Sequence, residues 1–171
     1  MVLVPVRYSF SQKFSVPVEE AFRWSIDYDP DDFSLMGWEG TRKVKKLSED
    51  AFILEDARKT DKGVVEKTRL VRVNPERRSF SNTHIAGPTI HSQFWYEFFP
   101  EGSRGSRLEF TGLLLCPSEK DLSSEQVSEM AAEEREGDAK LWKKLAKTME
   151  SDYAKAKKGG RTSRLTPRAE S

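Results

Sequence analysis

The sequence has a single cysteine, Cys116, in 171 residues. That excludes an intramolecular disulfide framework and points to a reducing compartment, so the expected location is the cytoplasm. Long hydrophobic runs are missing too: no stretch approaches the roughly 18 apolar residues of a membrane span. The opening Met1-Val2-Leu3-Val4-Pro5-Val6-Arg7 holds too short an apolar run for a secretory signal. There is no G-x-S-x-G elbow, phosphate-binding glycine loop or dinucleotide fingerprint, and no internal repeat. His84, His91 and Cys116 are the only strong soft or borderline metal ligands, and none has zinc-site spacing. The expectation is no metal and no cofactor. Cys116, just before Pro117, reads as a small buried hydrophobe.

What is present is charge and aromatic surface. Hydrophobic residues make up 36% of the chain and charged residues 33%, yet ten Phe, four Trp and four Tyr can build a core. The length fits one domain. The net charge of +1 conceals an uneven distribution. Residues 155–171 hold six basic groups against Glu170 alone, which leaves the body mildly acidic. Beyond Gly159 there is almost nothing to bury, so 159–171 reads as a disordered basic tail. Weak contact with an anionic surface through that tail is conceivable chemistry; sequence-specific nucleic-acid binding is not expected without interleaved aromatics.

The order of elements is the strongest signal. Residues 6–16 alternate as a strand, with Tyr8, Phe10, Gln12 and Phe14 on one face. Pro17 then stands where a helix takes its first residue, and Glu19 and Glu20 suit the first turn. A second short helix opens at Asp29-Pro30 and stops at Gly37. Strand patterns follow at 41–48, 51–58, 64–74, 77–85, 89–99 and 106–116. The turns between them are too short for parallel crossovers, so the strands are antiparallel neighbours. A capping box at Ser123 and Gln126, with a Leu122–Val127 staple, starts a final helix that runs to about Lys158.

One strand, two short helices, six strands and a long C-terminal helix resembles the helix-grip fold of the START-like (SRPBCC) superfamily. That group includes polyketide cyclase/dehydrase, lipid-transport and birch-pollen-allergen-like proteins. The local matches are Phe14-Ser15-Val16-Pro17-Val18-Glu19-Glu20-Ala21-Phe22 and the hairpin of Tyr96-Glu97-Phe98-Phe99-Pro100 with Gly105-Ser106-Arg107-Leu108-Glu109-Phe110. The resemblance implies an α+β fold: a curved seven-stranded antiparallel sheet around the C-terminal helix, with residues 1–158 forming one ligand-binding domain. It further implies a cavity for a hydrophobic or amphipathic small molecule or lipid. A cyclase or dehydratase activity, or a protein-interaction role like that of Hsp90 activators, are the alternatives it carries.

Candidate site residues come from parity. His84, Asn82, Ser92, Phe94 and Tyr96 would line an inward face with Phe110. On the final helix, Glu134 and Asp138 fall within about 20° of the apolar stripe's centre, beside Leu141. Two carboxylates one turn apart repel each other, and burying either is costly. Water at a cavity mouth, ion pairs to Arg69 or Arg72, or a ligand could each compensate. Val127, Met130 and Ala131 precede them, and Leu141, Trp142, Leu145 and Met149 follow. Both are therefore expected to line the cavity or its entrance, in a gap between two apolar anchors. Gly137 lies between them and would widen that gap, and Trp38 would edge the mouth.

Overall fold

The computed structural model describes residues 1–159, so the expected tail, Gly159 apart, lies outside the described residues. The order is β1 (Val2–Phe14), α1 (Val18–Ser25), α2 (Asp32–Met36), β2 (Gly40–Ser48), β3 (Ala51–Thr60), β4 (Gly63–Asn74), β5 (Ser79–Ala86), β6 (Gln93–Glu101), β7 (Gly105–Ser118) and α3 (Ser124–Lys157). The seven strands form one antiparallel sheet in the order β1-β7-β6-β5-β4-β3-β2. Short turns make each consecutive pair from β2 to β7 neighbours, and β1 closes onto β7. The curved sheet holds α3 on its inner face, as the expected fold class requires.

The boundaries differ from the sequence reading in three places. β1 starts at Val2, because Val4 and Val6 are buried opposite Cys116 and Leu114. Pro5 is tolerated there since β1 is an edge strand. α2 begins at Asp32, not at Asp29-Pro30, which form the turn before it, with Asp29 Oδ1 accepting from Asp31 N at 2.9 Å. β6 begins at Gln93 and not at 89. The segment before it folds as a turn, with Ile90 N donating to Gly87 O and His91 at φ 71°. Ile90 is thereby removed from the β6 alternation.

α3 is capped as its sequence requires: Gln126 N donates to Ser123 Oγ at 3.2 Å and Ser123 N to Gln126 Oε1 at 3.0 Å. It meets two separate apolar clusters. Its C-terminal half buries Trp142, Ala146 and Met149 among Phe14, Phe22, Leu54, Val71, Phe98 and Leu108. Its N-terminal turns lay Val127, Met130 and Ala131 over Val4, Val6, Phe94, Phe110 and Leu114. Trp24 ties α1 to the far end of α3 through Nε1 to Asp152 Oδ2, at 3.0 Å.

Phe98 is 1% exposed and sits against the rings of Phe14, Phe22 and Phe80. Replacing it with Ala should cost about 3–5 kcal/mol in urea unfolding. Trp95, facing away from the helix on the same strand and 40% exposed, should cost under about 1 kcal/mol on the same change. Equal costs at the two positions would show that the core has been misassigned.

Candidate functional site

The site arises where the inward alternation of the central strands changes chemistry. On β3, Phe52 and Leu54 are followed on the same face by Asp56 and Arg58. On β4, Val73 and Val71 give way to Arg69 and Lys67, and on β5 Phe80 gives way to Asn82 and His84. On β2, Val44 is followed by Arg42. The register sets these changes side by side: Arg42 lies opposite Asp56, Asp56 opposite Lys67, and Arg69 opposite His84. Over this polar half α3 cannot pack closely. A cavity of about 330 Å³ remains between its two anchors.

One wall of the cavity is an ion network. Arg42 donates from Nε and Nη2 to the two oxygens of Asp56 at 2.7 and 3.1 Å, and from Nη1 to Asp32 Oδ2 at 3.1 Å. Arg69 Nη2 donates to the same Asp56 carboxylate. Burial by itself raises the Asp56 carboxyl, but the bonds from Arg42 and the charges of both arginines outweigh it and hold it below the usual range. Arg58 stacks over Trp38 at 4.1 Å, and both residues line the cavity.

The opposite wall is α3. Asp138 is half-buried and accepts a 2.6 Å hydrogen bond from Tyr8 Oη, while Glu134 is more exposed. Burial raises the Asp138 carboxyl, partly offset by the Tyr8 bond and the charge of Lys67. Glu134 is raised by burial and then by Asp138 itself. The Tyr8 phenol is pushed up by burial and by the charge of Asp138. Asp138 is thus hydrogen-bonded by a tyrosine from β1, not by an arginine, and the charge of Lys67 favours both carboxylates.

Aromatic rings form the floor. Phe80 and Tyr96 stack at 4.3 Å, and Tyr96 lies 5.8 Å from Trp142. Burial pushes the Tyr96 phenol up to about 12. His84 is buried 5.0 Å from Phe94, with Nδ1 2.8 Å from Thr89 Oγ1. Burial, then the charges of Lys67 and Arg69, lowers its pKa to about 4, so the ring is neutral at physiological pH. Three buried polar atoms of lining residues have no protein partner: Tyr28 Oη, Arg69 Nε and Asn82 Oδ1.

Of the residues expected to line the site, the structure brings Asn82, His84, Phe94, Tyr96, Glu134, Asp138 and Leu141 to one cavity. Ser92 and Phe110 are corrections. Ser92 is fully buried, and its Oγ accepts from Leu115 N at 2.8 Å, fastening the turn before β6 to β7. Phe110 sits behind the lining, stacked on Phe10 at 4.6 Å and set edge-on to Tyr96. Arg69 pairs with Asp56 rather than with a helix carboxylate, and Arg72 is exposed. Gly137 is exposed, and a side chain there would meet nothing within 4 Å, so it does not shape the cavity.

Sequence reasoning missed Tyr8, Tyr28, Arg42, Asp56 and Lys67. Tyr8 already shared a face with Phe10 and Phe14, and the signal was there for three more. Arg42, Asp56 and Lys67 share the parity of Val44, Leu54 and Val71, so they had to point inward. Among the described residues no His, Cys, Asp and Glu cluster could hold a metal ion.

The depressed His84 pKa has a defined effect on stability. Its ordinary value is 6.5 and its folded value about 4, so the unfolded chain takes up a proton first as the pH falls. The stability from neutral His84 is complete above about 6.5 and is lost towards pH 4. The raised carboxyls of Glu134 and Asp138 act in the opposite sense, so the comparison must be with a variant. His84→Gln should lose less unfolding free energy than the wild type between pH 6.5 and 4. Parallel stability curves over that window would refute the burial of a neutral imidazole.

No protein-family model matches the chain, and no curated protein matches it in sequence. Solved structures do match. The Zhui aromatase/cyclase from Streptomyces sp. R1128 aligns over 92% of this chain and 100% of its own, with a TM-score of 0.66 at 10% identity. A START superfamily protein from Mycobacterium smegmatis aligns over 84% and 99%, with a TM-score of 0.65 at 10% identity. Ara h 8.0201 aligns over 86% and 99%, with a TM-score of 0.62 at 11% identity. Likeness at this level of identity speaks to architecture: the chain has the START-like helix-grip fold.

Proposed function

We propose that the protein binds an amphipathic small molecule in the cavity between the sheet and α3. A polycyclic aromatic, an isoprenoid or a lipid fits the chemical class. The observation that carries this reading is a cavity of about 330 Å³ floored by stacked aromatics and lined by a few polar side chains, Tyr28, Arg69 and Asn82 among them. Apolar walls with a few convergent polar groups are the pattern of a small-molecule site, and about 330 Å³ is at the small end of such sites.

Native mass spectrometry of freshly purified protein, followed by thermal shift across polycyclic aromatics, isoprenoids and lipids, tests the proposal. A true ligand at about 100 times its Kd should stabilise the fold by about 2.7 kcal/mol. An empty protein with no shift across the whole library rejects it.

A second reading, catalysis of cyclase or dehydratase type, is favoured by one feature. Asp138 is a carboxyl raised by burial that opens onto the cavity, which suits a general base. Neutral His84 cannot supply a proton as imidazolium, so Tyr96 or Tyr8 would be the acid. Once a ligand is known, Asp138→Asn distinguishes the two. An enzyme loses turnover by about 100-fold or more while keeping affinity. A binding protein changes only in affinity.

A further inference from the structure

The charge in the cavity is divided by wall, and the division specifies more about the ligand than its size does. The inner faces of β2, β3 and β4 bring Arg42, Arg58, Lys67 and Arg69 to the lining, against Asp56 from β3 and Asp32 from α2. Four cations thus line that side, and Arg42 and Arg69 reach its carboxylates Asp56 and Asp32. Arg42 is satisfied: three of its nitrogens donate to Asp56 and Asp32. Arg69 is only half satisfied, with Nη2 on Asp56 and Nε buried without a partner. Arg58 is occupied by the Trp38 face.

Lys67 is different. It lies in the register position opposite Asp56, half-buried, and among the described residues makes no ion pair and no hydrogen bond. Burial disfavours its charge, and Arg69 and Arg58 disfavour it further. Glu134 and Asp138 act on it favourably but from beyond ion-pairing distance, and Asp138 is turned to Tyr8. An ammonium half-removed from water beside a partnerless guanidinium N–H is costly unless something anionic completes it. Two donors of this kind on adjacent inward positions of one strand form a site for an oxyanion.

Resting on the cavity-binding reading above, we propose that the ligand is an organic anion. Its carboxylate or other oxyanionic group sits against Lys67 and the open edge of the Arg69 guanidinium, and its apolar body lies over Phe80 and Tyr96. Lys67 sets the specificity for charge, while the aromatic floor binds charged and uncharged bodies alike.

Two fluorescent probes of similar shape separate the terms: anilinonaphthalene sulfonate, which is anionic, and N-phenylnaphthylamine, which is uncharged. Each is titrated at neutral pH into the wild type, Lys67→Met and Lys67→Arg. Lys67→Met should weaken the sulfonate by about tenfold or more, from the loss of a charge-assisted bond, and leave the uncharged probe unchanged. Lys67→Arg should restore most of the sulfonate affinity. Lys67→Gln repeats the measurement should the methionine variant fail to fold. Loss of both probes to the same extent in Lys67→Met, or of neither, overturns the anion assignment while leaving the cavity a binding site. A wild type that binds neither probe removes the cavity-binding reading and the anion with it.

Discussion

Asp56 is the group on which the polar half of this molecule depends. Its two oxygens take bonds from Arg42 and Arg69, which come from the strands on either side of its own. A single carboxylate between two guanidinium groups satisfies more than one charge. Without it, two buried cations would face each other across β3, and removing one partner of such a pair costs about 3–5 kcal/mol. With it, three adjacent strands can carry charged side chains on the face that elsewhere builds the core. The sheet therefore continues unbroken through a region where its inner surface is no longer apolar.

The cavity follows from that substitution of charge for packing. A helix lies close to a sheet only where both faces are apolar and interdigitate. α3 does so at Trp142, Ala146 and Met149, and again at Val127, Met130 and Ala131. Between these anchors the sheet presents Arg69, Lys67 and His84, and the helix presents Glu134, Asp138 and Leu141. Close packing there would bury charges on both sides. The helix instead spans the gap, held at its two ends, and the volume it leaves is the cavity.

How much of this was legible in the sequence depends on the length scale of the signal. Element order and antiparallel neighbours were readable because turn spacing and the Ser123 capping box are local. The position of Glu134 and Asp138 was readable because helical periodicity is also local. The partner of Asp138 was not. Tyr8 lies 130 residues away, and only the closure of β1 onto β7 under α3 brings its hydroxyl to the carboxylate. Ser92 kept the parity of a lining residue, yet a turn at Gly87–Ser92 ended the alternation before β6 began and turned its hydroxyl to Leu115 N. Arg42, Asp56 and Lys67 were the reverse case. Their inward parity was visible, but hydropathy reads a charged residue as a solvent-facing one unless parity is given precedence.

The two walls carry opposite charge across a small space, and they could have closed it with a salt bridge. Asp138 and the two arginines are each held by a partner of their own. Tyr8 Oη holds Asp138 from the β1 side, and Asp56 holds Arg42 and Arg69 within the sheet. The groups of each wall are thus restrained where they are, and the field between them persists. Fixed dipoles and charges in a water-poor space need no reorganisation when a polar molecule enters, whereas bulk water must reorient. A ligand with an apolar body and one charged end can exploit both features, since the floor takes the body and the walls orient the end. A purely apolar ligand would leave Lys67 as costly as it is in its absence. The same arrangement of charge that keeps α3 off the sheet therefore sets the chemistry of the space beneath it.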